Sequence, residues 1–209
     1  TANITARPLT VGGALVVAST KTYDRTTTAS ITDSTQLTLV NVPAGDAGNA
    51  SKVALTGLGA SYSDKTVATG KTVTLTAASL TGTTSSNYTL SLTGSPTTTA
   101  DITLRSLNVT ITATNKTYNQ SSAASVTYAD NRVSGDVFTV SGTATFPDKN
   151  VGTVRTVTAS SITLTGADAA NYTQNTTATT TASITAKALD RKSTRLNSSH
   201  VSESRMPSS

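Results

Sequence analysis

Cysteine and tryptophan are absent from this chain, and histidine, methionine and glutamate occur once each, as His200, Met206 and Glu203. The missing thiols exclude a disulfide framework and a thiolate metal site. They leave the compartment open, because many exported bacterial proteins also lack cysteine. Long apolar runs are missing too. The most apolar stretch, residues 12–18, falls far short of the ~20 residues that cross a bilayer as a helix, so no membrane span is expected in this segment. Large apolar side chains are scarce: six Tyr and two Phe in 209 residues, with a hydrophobic share of 35%. Each domain should therefore have a thin core. The chain also opens at Thr1 without the charged and apolar start of an export signal, and reads as a segment of a longer protein.

The three single residues all fall in residues 190–209, where the character of the sequence changes abruptly. This stretch, DRKSTRLNSSHVSESRMPSS, reads as the translation of a common short-read sequencing adapter. The match runs in one frame from Asp190 through His200 and from Ser204 through Ser209, with Val201, Ser202 and Glu203 where a variable sample index falls. The segment is expected to be disordered and is set aside from the fold. Its four basic and two acidic residues carry +2 of the formal net charge of +5, leaving +3 on residues 1–189. So small and scattered an excess predicts no nucleic-acid binding. Residues 1–189 also hold no His, Cys, Glu, Met or Trp.

What fills the chain instead is threonine, roughly a fifth of all residues. Thr and Val are β-branched, stiff at χ1 and suited to pleated strands. The pattern agrees with the composition. Val73 and Leu75 alternate with Thr72, Thr74 and Thr76, and Val109, Ile111 and Ala113 with Thr110 and Thr112. Ile162 and Leu164 flank Thr163, and Tyr88, Leu90 and Leu92 alternate with Thr89 and Ser91. Period-two alternation describes strands with one buried face, and it is too regular for a solvated, disordered tract.

The chain repeats itself. One boundary phrase occurs three times, as Thr1-Ala2-Asn3-Ile4-Thr5-Ala6-Arg7-Pro8-Leu9, Thr99-Ala100-Asp101-Ile102-Thr103-Leu104-Arg105-Ser106-Leu107 and Thr181-Ala182-Ser183-Ile184-Thr185-Ala186-Lys187-Ala188-Leu189. Between these phrases the same landmarks recur in order. Lys21-Thr22-Tyr23-Asp24 answers Lys116-Thr117-Tyr118-Asn119, and Gly45-Asp46 answers Gly135-Asp136. Ser63-Asp64-Lys65 answers Pro147-Asp148-Lys149, and Asn87-Tyr88-Thr89 answers Asn171-Tyr172-Thr173.

Short strands between Gly, Asn, Asp and Ser clusters predict an all-β fold of two tandem immunoglobulin-like β-sandwich repeats, with another small all-β or β-grasp-like repeat as the alternative. Residues 1–9 are assigned to the end of a preceding repeat, 10–104 to repeat 1 and 105–189 to repeat 2. Residues 47–59 and those after Tyr88, where the first copy is longer, are read as longer loops. Asp168-Ala169-Ala170-Asn171-Tyr172 has the spacing of a tyrosine corner, whose hydroxyl bonds backbone just upstream; an ordinary turn into a strand is the alternative.

These landmarks resemble the YDG-type repeat of filamentous-haemagglutinin-like and autotransporter-like adhesins of Gram-negative bacteria. The residues that carry the likeness are Lys21-Thr22-Tyr23-Asp24, Asp148-Lys149-Asn150-Val151-Gly152-Thr153, Gly166-Ala167-Asp168-Ala169-Ala170-Asn171-Tyr172-Thr173 and the phrase ending Ala186-Lys187-Ala188-Leu189. Arg25 stands where the family usually has Gly, and Asn119-Gln120 where Asp-Gly would be expected. The resemblance implies export, surface display and a place in a stalk or adhesive structure, and brings no catalytic residues with it.

No enzyme is expected. Acid–base chemistry would fall to Asp and Lys beside turns, and a Ser or Thr nucleophile would lack a base. Catalytic, cofactor-binding and metal-binding residues are accordingly none, and no cofactor is expected. Asp46, Asp64, Asp136, Asp148 and Asp168 are hard oxygen donors near loops, but they lack a calcium-loop motif and read as turn formers. A Lys–Asn isopeptide bond would suit a stalk, yet no buried acid for it can be identified. The expected partners are neighbouring repeats of the same chain. One function is a structural spacer that holds a distal adhesive domain away from the cell. The alternative is a repeat that itself binds a host glycan or surface protein through its loops. Either implies a secreted or outer-membrane-attached location.

Overall fold

The computed structural model describes residues 3–189; the adapter-like residues 190–209 lie outside the described residues. The first unit runs through β1 (Arg7–Gly13), β2 (Val16–Val17), β3 (Thr20–Thr22), β4 (Thr28–Ala29), β5 (Ile31–Asp33), β6 (Leu37–Val40), β7 (Ala54–Tyr62), β8 (Ala68–Thr81), β9 (Tyr88–Ser91) and β10 (Thr97–Thr103). The second continues with β11 (Arg105–Leu107), β12 (Val109–Ala113), β13 (Lys116–Thr117), β14 (Val126–Asp130), β15 (Thr139–Thr145), β16 (Gly152–Thr165), β17 (Tyr172–Gln174) and β18 (Ala178–Thr185). The helical elements among the described residues are two single 3-10 turns, Ser85–Asn87 and Ala169–Asn171. The chain is all-β in two tandem units, as the alternation predicts.

Both units follow one plan. In the first, β1 lies between β6, antiparallel to it, and β9, parallel to it. A five-stranded sheet, β3-β10-β8-β7-β4, forms beside it, with β3 parallel to β10 and the other pairings antiparallel. In the second unit β11 runs parallel to β17, β12 antiparallel to β14, and β13-β18-β16-β15 form the larger sheet. β11 and β12 together answer β1. They part at Asn108, whose backbone N–H turns aside to donate to Asn131 Oδ1 at 2.8 Å. Each parallel pair requires a crossover, so a unit's opening strand closes against its second-to-last one.

Two boundaries differ from the sequence reading. Arg7, Pro8 and Leu9 pair with Tyr88, Thr89 and Leu90, and Leu9 is fully buried. They open the first unit and do not end a preceding one. Residues 54–59, read as loop, are the first two-thirds of β7 and pair with β8 through a register shift at Gly59. Gly57 and Gly59 carry no side chain to alternate, which hides the strand in the sequence; the long partner β8 imposes it.

The core follows the pleat. Along β8, Val73 and Leu75 are buried while Thr72, Thr74 and Thr76 face water, and Val157 and Ala159 repeat the arrangement in β16. Leu9, Ile102, Leu107, Val109, Ile162 and Ile184 complete the two interiors. Each such side chain contributes about 1.5–3 kcal/mol of hydrophobic stabilisation. The interiors are not separate, for Tyr23 of the first unit and Phe138 and Tyr172 of the second join them into one cluster.

Candidate functional site

The site with the most convergent chemistry lies where the units meet. It begins as a turn. Asp24 Oδ1 accepts the Thr26 backbone N–H at 2.9 Å and its hydroxyl at 2.8 Å, while Lys21 Nζ lies 2.9 Å from the same oxygen and donates to Thr28 O at 2.9 Å. Such Asx bonding favours a tight turn and tolerates a left-handed residue. That residue is Arg25, with φ 70°, and Gln120 in the second unit has φ 66°. At both places Gly would supply this conformation without a Cβ clash.

The turn drives Tyr23 into the second unit. Its ring meets that of Tyr172 edge-on, with centroids 5.5 Å apart, and Tyr172 in turn packs on Phe138 at 5.1 Å. Asp136 sits at the centre, its side chain 0% exposed. Tyr23 donates to Asp136 Oδ1 at 3.1 Å and Tyr172 to Oδ2 at 2.6 Å, while Arg25 Nε lies 3.1 Å from Oδ1. Arg25 Nη1 also donates to Ser134 O at 3.1 Å, and the Val133 backbone N–H donates to the Tyr172 hydroxyl at 2.9 Å. A buried carboxylate is tolerable only when paired and hydrogen-bonded, and here both of its oxygens are engaged.

A second row of contacts flanks the first. Lys65 of the first unit lies 3.5 Å from Asp168 Oδ1, and the Val67 backbone N–H donates to Asn171 Oδ1 at 3.0 Å. Asp168 Oδ2 accepts the Val137 N–H at 2.9 Å. That backbone bond, with Lys65 adding to it, holds Asp168 below the ordinary carboxylate value. Burial, and then the hydrogen bond to Asp136, pushes the Tyr23 hydroxyl well above the ordinary phenol value; the same causes push Tyr172 up to about 12. Both phenols therefore stay protonated at neutral pH and remain donors. The arrangement fixes one unit against the other.

The spacing read as a tyrosine corner does not form one. The Tyr172 hydroxyl bonds Val133 and Asp136, on the loop after β14, and not the backbone of its own turn. The five loop aspartates also stay apart. Asp46 accepts from Tyr88 at 2.7 Å and Thr84 at 2.9 Å, Asp64 pairs with Lys71 at 2.6 Å, and Asp148 pairs with Arg155 at 2.6 Å. Among the described residues no three His, Cys, Asp or Glu side chains converge. The residues of the junction were visible in the sequence as recurring landmarks, but nothing local told that Tyr23 and Asp136 meet.

A second feature is an open groove of ≈ 740 Å³ on the first unit, between β6 and the segment leading into β7, lined by Leu37, Leu39, Asp46, Asn49, Val53 and Leu58 among others. No helix among the described residues is long and apolar enough to cross a membrane.

A family model described as the YDG domain matches the chain twice, over residues 5–100 and 103–188. Neither curated proteins nor solved structures yielded a match.

Proposed function

Because the chain belongs to the YDG-domain family, we propose that this pair of repeats is a non-enzymatic spacer in the stalk of a large adhesin on the surface of a Gram-negative bacterium. The observation that carries this reading is the direct docking of the units through buried Asp136. Only Leu104 separates β10 of one unit from β11 of the next. A one-residue connection and a buried polar joint restrict rotation between units, which suits a part that must hold a distal domain at a distance. Threonine faces of low charge suit a surface whose task is to stay solvated.

The groove beside β6 supports a second reading, in which the first unit binds a host glycan or surface protein. Glycan-array and cell-binding measurements on the pair separate the two. The spacer reading expects no saturable binding; saturable binding abolished by filling the groove, for instance with Ala54→Trp, would overturn it. Interdomain distances from spin labels on β4 and β15 test the joint itself, with one narrow distribution expected and a broad one counting against a stiff spacer.

A further inference from the structure

The two units differ in what covers their ends. Tyr23 is fully buried but its counterpart Tyr118 only half so; Asp136 and Asn171 are buried, while Asp46 is half-buried and Asn87 exposed. Each unit thus has a plug, the Tyr turn with the Lys65 or Lys149 loop, and a socket built on Asp46 or Asp136. One plug and one socket are joined within this chain.

The open socket is wired differently from the filled one. Asp46 Oδ2 is bonded by Tyr88, as Asp136 Oδ2 is by Tyr172. The other oxygen of Asp136 takes its cation from Arg25 of the neighbouring unit. The other oxygen of Asp46 takes its cation from within: Lys52 Nζ lies 3.3 Å from Oδ1 and donates to Gly45 O at 2.6 Å. Arg25 likewise reaches both the carboxylate and a loop carbonyl, Asp136 and Ser134 O, the latter one residue earlier in the loop than the Gly45 carbonyl that Lys52 meets. The position of Lys52 is that of Val137. Thr84 N donates to Lys52 O at 2.9 Å, and the equivalent Asp168 N donates to Val137 O at 3.3 Å. Where the socket holds Lys52 the cation paired with its Asp comes from within; where it holds Val137 that cation is Arg25 of the plug.

We propose that the open end of the first unit is a docking site for the Tyr turn of a preceding repeat, and that it selects a plug with no cation at the third turn position. The second unit of this chain presents such a plug, Tyr118-Asn119-Gln120. A second copy of this unit is the occupant for which the site is argued. Tyr118 then donates to Asp46, the Val151 N–H to Asn87, and Lys149 meets neutral Thr84 where Lys65 meets Asp168. Val151 is 53% exposed here, whereas its counterpart Val67 is held against Asn171. A plug carrying Arg would set a second cation beside Lys52, so each carboxylate accepts one cation, supplied from one side only.

The inference deepens the spacer reading and rests on it for the existence of a preceding repeat. A concatemer tests it: residues 1–186 followed directly by residues 7–189, which reproduces the Leu104-to-Arg105 connection. Amide exchange should then show two Val151 signals, the one at the new joint exchanging about tenfold more slowly, the effect of one net hydrogen bond. Gln120→Arg in the first copy should abolish that protection, and Lys52→Ala in the second copy should restore it. Two equal Val151 rates, or protection indifferent to Gln120→Arg, would overturn the proposal. Val67 protection in each copy reports that both pairs are folded. Glycan binding by the pair would sink the spacer reading while leaving this docking result unaffected.

Discussion

Tyr23 of the first unit gives its hydroxyl hydrogen bond to Asp136 of the second across 3.1 Å, with both side chains closed to water. A contact of this kind makes the pair more than two beads on a string. Opening the joint exposes a carboxylate, two phenols and an aromatic cluster together, so the units should melt cooperatively.

Tyr23→Phe keeps the ring and removes one donor, leaving Asp136 with Arg25 and Tyr172. We expect a loss of about 1–2 kcal/mol in urea unfolding. Asp136→Ala leaves two buried phenols and a guanidinium without their acceptor, and should cost about 3–5 kcal/mol. Equal losses for the two variants would mean that Asp136 is not the centre of the joint.

The two left-handed turn residues should respond oppositely to glycine. At Gln120, φ 66°, glycine relieves the backbone and should stabilise the chain by about 1 kcal/mol. At Arg25, φ 70°, the same relief is outweighed by loss of the contacts to Asp136 and Ser134. Thermal melts should rise for Gln120→Gly and fall for Arg25→Gly; a rise in both would show that the Arg25 contacts contribute little.

Alkaline titration should find the joint directly. Tyr172 is pushed up to about 12 from an ordinary value of 10.0, and Tyr23 is raised further. The folded state therefore holds phenol protons that the unfolded chain releases near pH 10. The stabilisation is complete below that pH and is lost as pH rises through about 12. Phenolate absorbance should show at least two late-titrating tyrosines, with unfolding accompanying their ionisation. Ionisation of all six Tyr together near pH 10 would contradict the buried joint.

Calcium should leave the protein unchanged. Asp46, Asp64, Asp148 and Asp168 are each engaged by separate side chains or backbone groups, and Asp136 is enclosed by Tyr23, Tyr172 and Arg25. Melting with millimolar calcium and with chelator should coincide. A shift that grows with calcium concentration would reveal a site that this arrangement does not provide.

Much of this architecture is legible in the sequence. Alternating Val73, Leu75 and their threonines named the buried face of β8, and the ordered landmarks named two units of one kind. Over residues 54–59 Gly57 and Gly59 interrupt the alternation, and only pairing with β8 makes that stretch a strand. The Asp168-to-Tyr172 spacing suggested a local corner, but the Tyr172 hydroxyl is taken by Asp136, an acceptor 36 residues away.

The sequence by itself determined the alternating strands, the repeat and the core positions on those strands, because the two-residue period of a pleated strand ties burial directly to neighbouring residues. The tertiary structure alone decided what the landmarks are for. Tyr23 and Tyr118 stand in the same local phrase, yet one is buried and the other half-open. The difference comes from a partner 113 residues along the chain, Asp136, whose approach depends on how one unit stacks on the next. No local pattern carries that information, because the same turn is built whether or not a socket receives it.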